Sequence, residues 1–205
     1  HHVEDGHFLL VSKNLRLGCL ADNADLLAVR SDEAGDDDRD DRVTNELGQF
    51  LLDVACQGGG IFAHGLQVVQ VPLRADGVDL DALRTALQRR SVRLAYLMPT
   101  FHNPTGRTLD RAQRQALLEV FAATAVPIVE DEYQSDLRHR GEPLPTLRSL
   151  DRRGLTVTVQ TMSKGLFPAL RLGWIAAGKD LLEPMAAVKR FMDLEQSPLL
   201  QAALV

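Results

Sequence analysis

The feature that most limits what this chain can fold into is a change of hydrophobic period that recurs along its later part. LQVVQVPL (66–73) is an apolar run of strand length, and VDLDALRTALQRR (78–90) then puts Leu80, Leu83 and Leu87 on one helical face. VRLAYLM (92–98) returns to a strand. Asp110, with Gln113 three residues later, has the form of a capping box and opens a helix through about Ala123. VPIVED (126–131) is a short apolar strand ending in acids, LTVTVQTM (155–162) alternates, and RLGWIAAG (171–178) is the next strand. Strands alternating with helices predict an α/β fold, three-layered around a mostly parallel sheet.

The earlier part is different. SDEAGDDDRDD (31–41) has no apolar residue larger than alanine, so it has nothing to bury and reads as a solvated loop. It also lacks the pattern of a calcium loop. GGG at 58–60 is a flexible break. The expected organisation is therefore a poorly defined segment, 1–57, and a domain over 58–205. A net charge of −5 gives no reason to expect nucleic acid or an anionic membrane as partner. No apolar run is long enough for a transmembrane helix, and no basic-then-apolar signal opens the sequence. Cys19 and Cys56 show no metal or disulfide spacing, which fits reduced thiols in a cytoplasmic protein.

In layered α/β folds ligands bind beyond the carboxyl ends of the strands. That rule singles out three stretches. After Met98 comes PTFHNPTG (99–106), where Pro104 pushes Asn103 to extended backbone and a tight turn follows. An asparagine held there can aim its amide at a ligand oxygen, although taken alone an ordinary turn is the better account. After Val129 comes EDEY (130–133). Asp131 could hold a cationic ring nitrogen, and Tyr133 could donate a hydrogen bond to a phenolate oxygen. A surface acid cluster is again the better account in isolation. After Val159 comes TMSKGLFPALRLGW (161–174), with a lone lysine among apolar residues. A desolvated Lys164 loses its proton readily and becomes a nucleophile that condenses with an aldehyde. Ser163 and Arg171 supply the donors that hold a phosphate. A surface loop lysine is the alternative, and it leaves Leu166, Phe167, Leu170 and Leu172 around it unexplained.

Taken together, the three stretches ask for one ligand. It carries an aldehyde for Lys164, a phosphate for Ser163 and Arg171, a ring nitrogen for Asp131, and a ring oxygen for Asn103 and Tyr133. Pyridoxal 5′-phosphate (PLP) has all four groups.

PTFHNPTG, EDEYQSDLRHRGEPLPTLRSLD and TMSKGLFPALRLGW resemble, in order and spacing, the large domain of fold-type I (class I/II) PLP-dependent aminotransferases. The resemblance covers roughly residues 60–205. Within that family, the tyrosine two residues after the aspartate and the SK-x-LFP-x-LRLG run look most like the aminotransferase-like domain of MocR-type regulators, which fuse it to a GntR-type winged helix. The resemblance implies that Lys164 forms the Schiff base with PLP and shuttles the proton. It implies that Asp131 keeps the ring nitrogen protonated, that Asn103 and Tyr133 bond the ring oxygen, and that Ser163 and Arg171 bind phosphate. It implies an amino acid and a 2-oxo acid as substrates, and a homodimer. The main expectation is thus an aminotransferase. The alternative is the PLP-binding effector domain of a regulator, without its DNA-binding part. Against the family pattern, VTNELGQFLLDVA (43–55) matches the early phosphate loop only loosely. There is no room for the stacking tyrosine between Ala55 and Phe62, and His64 is a poor substitute. The small C-terminal domain is expected to be missing, so the large domain is read as truncated.

Overall fold

The most apolar segments of the chain become central strands, as strands covered on both faces must be. The structure, a computed structural model, describes residues 7–12, 26–30, 67–74, 76–88, 92–103, 105–166, 172–192 and 197–203. Its strands are β1 (His7–Ser12), β2 (Leu26–Arg30), β3 (Gln67–Val71), β4 (Leu73–Arg74), β5 (Gly77–Val78), β6 (Val92–Leu97), β7 (Ile128–Asp131), β8 (Thr156–Thr161) and β9 (Leu172–Ala177). Its helices are α1 (Leu80–Leu87), α2 (Arg111–Phe121), α3 (Leu147–Leu150), α4 (Met162–Gly165), α5 (Lys179–Met192) and α6 (Pro198–Ala202).

Seven of the strands form one sheet in the order β1-β9-β8-β7-β6-β2-β3. The centre, β6-β7-β8, is parallel. β2 and β9 run against it, and β1 and β3 run against them in turn. Five of the seven strands therefore point the same way, as the α/β reading requires. β1 and β2, both from the first 57 residues, belong to this sheet. The acidic run 31–41, the stretch 43–55, Phe62 and His64 lie outside the described residues.

Local chemistry sets the helix starts. Asp110 accepts the Gln113 N–H at 2.8 Å while the Gln113 side chain accepts the Asp110 N–H at 2.8 Å, which is the capping box the sequence predicts. Asp79 caps α1 by accepting the Ala82 N–H at 3.0 Å. One sequence expectation shifts. LQVVQVPL is not a single strand, because Pro72 has no N–H for the ladder and β3 stops at Val71. Leu73 and Arg74 instead pair with Val78 and Gly77 in a separate two-stranded hairpin.

Leu83 of α1 and Leu117 and Phe121 of α2 pack in one buried cluster with Ala95 and Leu97 of β6, Ile128 of β7 and Leu147 of α3. Side chains alternate across a strand, so Ala95, Leu97, Ile128 and Glu130 share this helix-covered face. Tyr96, Val129 and Asp131 point to the other. This alternation decides the chemistry of the EDE run. No helix among the described residues is long and apolar enough to cross a membrane.

Candidate functional site

The acids Glu130 and Asp131 are neighbours in β7 with opposite surroundings. Glu130 lies under α2 and α3. Its carboxylate accepts the backbone N–H of Leu147 at 2.5 Å and of Arg148 at 3.2 Å, and the Thr158 hydroxyl at 2.9 Å. Arg114 of α2, fully buried, stands 3.8 Å from Glu130 and 3.7 Å from Glu132. The same guanidinium donates to the carbonyls of Leu109 (2.9 Å), Pro145 (3.1 Å) and Pro99 (3.2 Å), and to the Thr100 hydroxyl (2.7 Å). Thr100 in turn donates to Glu132 at 2.8 Å. One buried cation thus ties the loop after β6 to the loop after β7.

The loop after β6 is held closed over residues 99–109. The Gly106 N–H donates to the His102 carbonyl at 2.6 Å, the His102 N–H to the Arg107 carbonyl at 2.7 Å, and the Leu109 N–H to the Pro99 carbonyl at 2.8 Å. Phe101 takes a left-handed backbone (φ 50°), a conformation that a β-carbon disfavours and that the surrounding bonds must hold. The Arg138 guanidinium sits 4.9 Å from the centre of its ring. Asn103 is exposed at the tip of this loop.

Asp131 ends β7 and is 1% exposed. It accepts the Tyr96 hydroxyl at 2.7 Å and the Tyr133 backbone N–H at 3.1 Å. Both donors are neutral, and no cation among the described residues pairs with this carboxylate. Burial pushes its pKa up to about 6, with Tyr96 and the Tyr133 N–H pulling it down and the Glu132 charge pushing it up. Burial, then the Glu132 charge, raises Glu130 to about 7. Burial raises Glu132 as well.

These shifts fix the sign of a pH dependence. A carboxyl whose pKa is higher folded than unfolded stabilises the fold below its unfolded value, and that contribution is lost as pH rises through the folded value. For Asp131 the window runs from 3.8 to about 6, and Glu130 extends it from 4.5 to about 7. Urea unfolding of the ligand-free chain is expected to show stability falling by a few kcal/mol between about pH 4.5 and 7. Asp131→Asn should flatten the lower half of that window. Asp79 and Asp151, whose pKa lies below 3.8, act outside it. A flat profile would mean these carboxyls are not desolvated.

β7 and β8 are parallel neighbours with Asp131 opposite Val159, and five residues on from Val159 comes Lys164 in α4. The carboxyl ends that bear Asp131 and Lys164 are therefore adjacent. Lys164 is exposed, and so is Leu166 at 50%. The apolar enclosure suggested by the run LFPAL is not seen around the described atoms, and 167–171 lie outside the described residues. Arg171 is among them, and of Ser163 only the backbone, within α4, is described. Tyr133 is half-buried just beyond β7. Among the described residues no group of three or more His, Cys, Asp or Glu side chains is placed to hold a metal ion.

Sequence reasoning passed over Tyr96, Arg114 and Glu132. Two of them left a signal. Tyr96 is a lone phenol in an apolar strand, and a buried phenol needs a partner. Arg114 stands three and seven residues before Leu117 and Phe121, in the buried phase of α2.

The described donor set fits PLP in one respect. A buried carboxylate with neutral donors alone lacks a counter-charge, and a protonated pyridine N–H supplies one.

The family described as aminotransferase class I and II matches residues 59–205. An aromatic-amino-acid aminotransferase of Thermococcus litoralis is 35% identical over 133 residues, covering 62% of this chain and 32% of that protein. The probable rhizopine catabolism regulatory protein MocR of Rhizobium meliloti is 33% identical over 144 residues, 70% of this chain and 28% of that protein. Among solved structures, LysN, the alpha-aminoadipate aminotransferase of Thermus thermophilus complexed with N-(5′-phosphopyridoxyl)-L-leucine, superposes with a TM-score of 0.66 at 28% identity over 77% of this chain and 45% of that one. The Pyrococcus horikoshii kynurenine aminotransferase, in complex with PMP, gives 0.57 at 32% identity over 62% of this chain and 32% of that one. The chain spans about a third of the length of the curated relatives it matches.

Proposed function

The chain belongs to the class I and II aminotransferases, and on that premise we propose that it binds PLP and serves amino-group transfer between an amino acid and a 2-oxo acid. The observation that carries this reading is the Asp131 carboxylate, buried without a cationic partner among the described residues, at a strand end adjacent to the one that leads to Lys164. PLP, when bound, supplies an electron-accepting ring that stabilises negative charge on the substrate α-carbon.

The chain's own groups do the rest. The Asp131 carboxylate would hold the proton on the ring nitrogen. Asn103 and Tyr133 would donate to the ring oxygen, and Ser163 and Arg171 would take the phosphate. Lys164 would supply the amine that anchors the cofactor and the base for the α-proton. The closed 99–109 loop, fixed through Thr100 and Arg114, positions Asn103. The same reading carries a cytoplasmic homodimer with the site at the subunit boundary.

The test is spectroscopic. Titration of the purified chain with PLP should produce a visible absorption band, and borohydride should then fix one cofactor per chain on the peptide that contains Lys164. No visible band at millimolar PLP would overturn the reading. A second reading, the effector domain of a MocR-type regulator, has its own support in the regulators among the relatives. A winged helix encoded in frame ahead of these residues would decide for it.

A further inference from the structure

We propose that Tyr96 is a positioning residue for the cofactor: its hydroxyl orients the Asp131 carboxylate and keeps it ionised to meet the ring nitrogen. The proposal rests on the reading of Asp131 given above. Tyr96 lies in β6 opposite Val129, two residues short of Asp131 on β7. Its ring crosses that offset on the face away from α1 and α2, and its hydroxyl reaches Oδ2 of Asp131 at 2.7 Å. The Tyr133 N–H reaches Oδ1 at 3.1 Å. Two donors from two separate segments therefore fix the carboxylate plane, one on each oxygen. Each oxygen keeps a second lone pair for an incoming N–H.

A phenylalanine would fill the same volume in this apolar strand, so packing alone does not call for the hydroxyl. Burial, then the Asp131 charge, raises the Tyr96 pKa well above 10, so the phenol remains a donor throughout the working pH range. Among the described residues, the titratable groups that act on Asp131 are Tyr96 from β6 and Glu132 from its own segment, while Tyr133 contributes its backbone N–H. Tyr96 is the one that favours the ionised form through its side chain. Its loss should therefore move Asp131 towards the protonated state, in which it can no longer pair with a ring cation.

The experiment compares the parent chain, Tyr96→Phe and Asp131→Asn, with carbon-13-labelled aspartate. In the PLP-free chain, Asp131→Asn assigns the Asp131 signal. Tyr96→Phe should raise its titration midpoint by about one pH unit. In the PLP-loaded chain, both variants should shift the pH dependence of the visible band. An unmoved Asp131 midpoint overturns the proposal and leaves the cofactor reading standing. So does a moved midpoint with a visible band that responds to Asp131→Asn but not to Tyr96→Phe. A band that responds to neither variant overturns the assignment of Asp131 itself, and the proposal with it. If Tyr96→Phe fails to fold, 3-fluorotyrosine at position 96 in a Tyr133→Phe background replaces it. That stronger donor should lower the Asp131 midpoint, and an unchanged midpoint overturns the proposal.

Discussion

Arg114→Met will cost roughly 3–5 kcal/mol, the usual penalty for removing one partner of a buried ion pair. A domain of this size is stable by only about 5–15 kcal/mol, so a large share of the fold's margin goes with one side chain. Methionine fills much of the arginine volume, which keeps a cavity from dominating the result. What remains is electrostatic. Glu130 and Glu132 lose the Arg114 cation that stands 3.8 and 3.7 Å from them. The carbonyls of Leu109 and Pro145 lose the Arg114 donor at the same time, and that of Pro99 keeps only the Leu109 N–H. The measurement is the urea midpoint with its slope at pH 7. The cost should shrink near pH 5, because Glu130 and Glu132 have raised pKa values and take up protons there. Adding Glu130→Gln and Glu132→Gln to the methionine variant should recover part of the loss, since the uncompensated charges are then gone. A methionine variant within about 1 kcal/mol of the parent would mean the cluster is wetter than its burial indicates.

Lys164→Ala should abolish the borohydride-fixed adduct completely while leaving the fold intact. The residue is exposed, and exposed substitutions away from special features usually change stability by no more than about 0.5 kcal/mol. Loss of the adduct would then report chemistry and not unfolding. The sequence contains three other lysines, Lys13, Lys179 and Lys189. Non-specific reaction would spread the label over them in the parent and keep it in the variant. Mass mapping of the reduced protein separates the two cases. A label that survives in Lys164→Ala at an unchanged amount rules out Lys164 as the anchor.

Much of the architecture was legible. Asp110 and Gln113 announce the start of α2 because a capping box satisfies backbone groups within four residues of chain. The strand ends that carry Asn103, Asp131 and Lys164 follow from the apolar runs and the rule for parallel sheets. The edges were less legible. Pro72 splits a run that hydropathy joins, and β2 takes its place between β3 and β6 from a part of the chain whose pattern gave no clear strand. The sequence put Asn103, Asp131 and Lys164 at or just beyond the ends of three strands, and the structure places them there. The surroundings of the site were not legible. The run LFPAL suggests enclosure around Lys164, yet Lys164 and Leu166 are exposed.

The sequence alone determined the succession of β6, α2, β7, β8 and β9 and which residues reach the carboxyl end of the central strands. Those depend on hydrophobic period, caps and prolines, all set within a few residues of chain. Tertiary structure alone decided what each acid of the EDE run does. Glu130 and Asp131 are adjacent and chemically alike. The strand's two-residue alternation turns one towards Arg114 under a helix and the other towards Tyr96. The guanidinium that Glu130 meets and the phenol that Asp131 meets come from residues 16 and 35 positions away, and no local pattern encodes such a meeting.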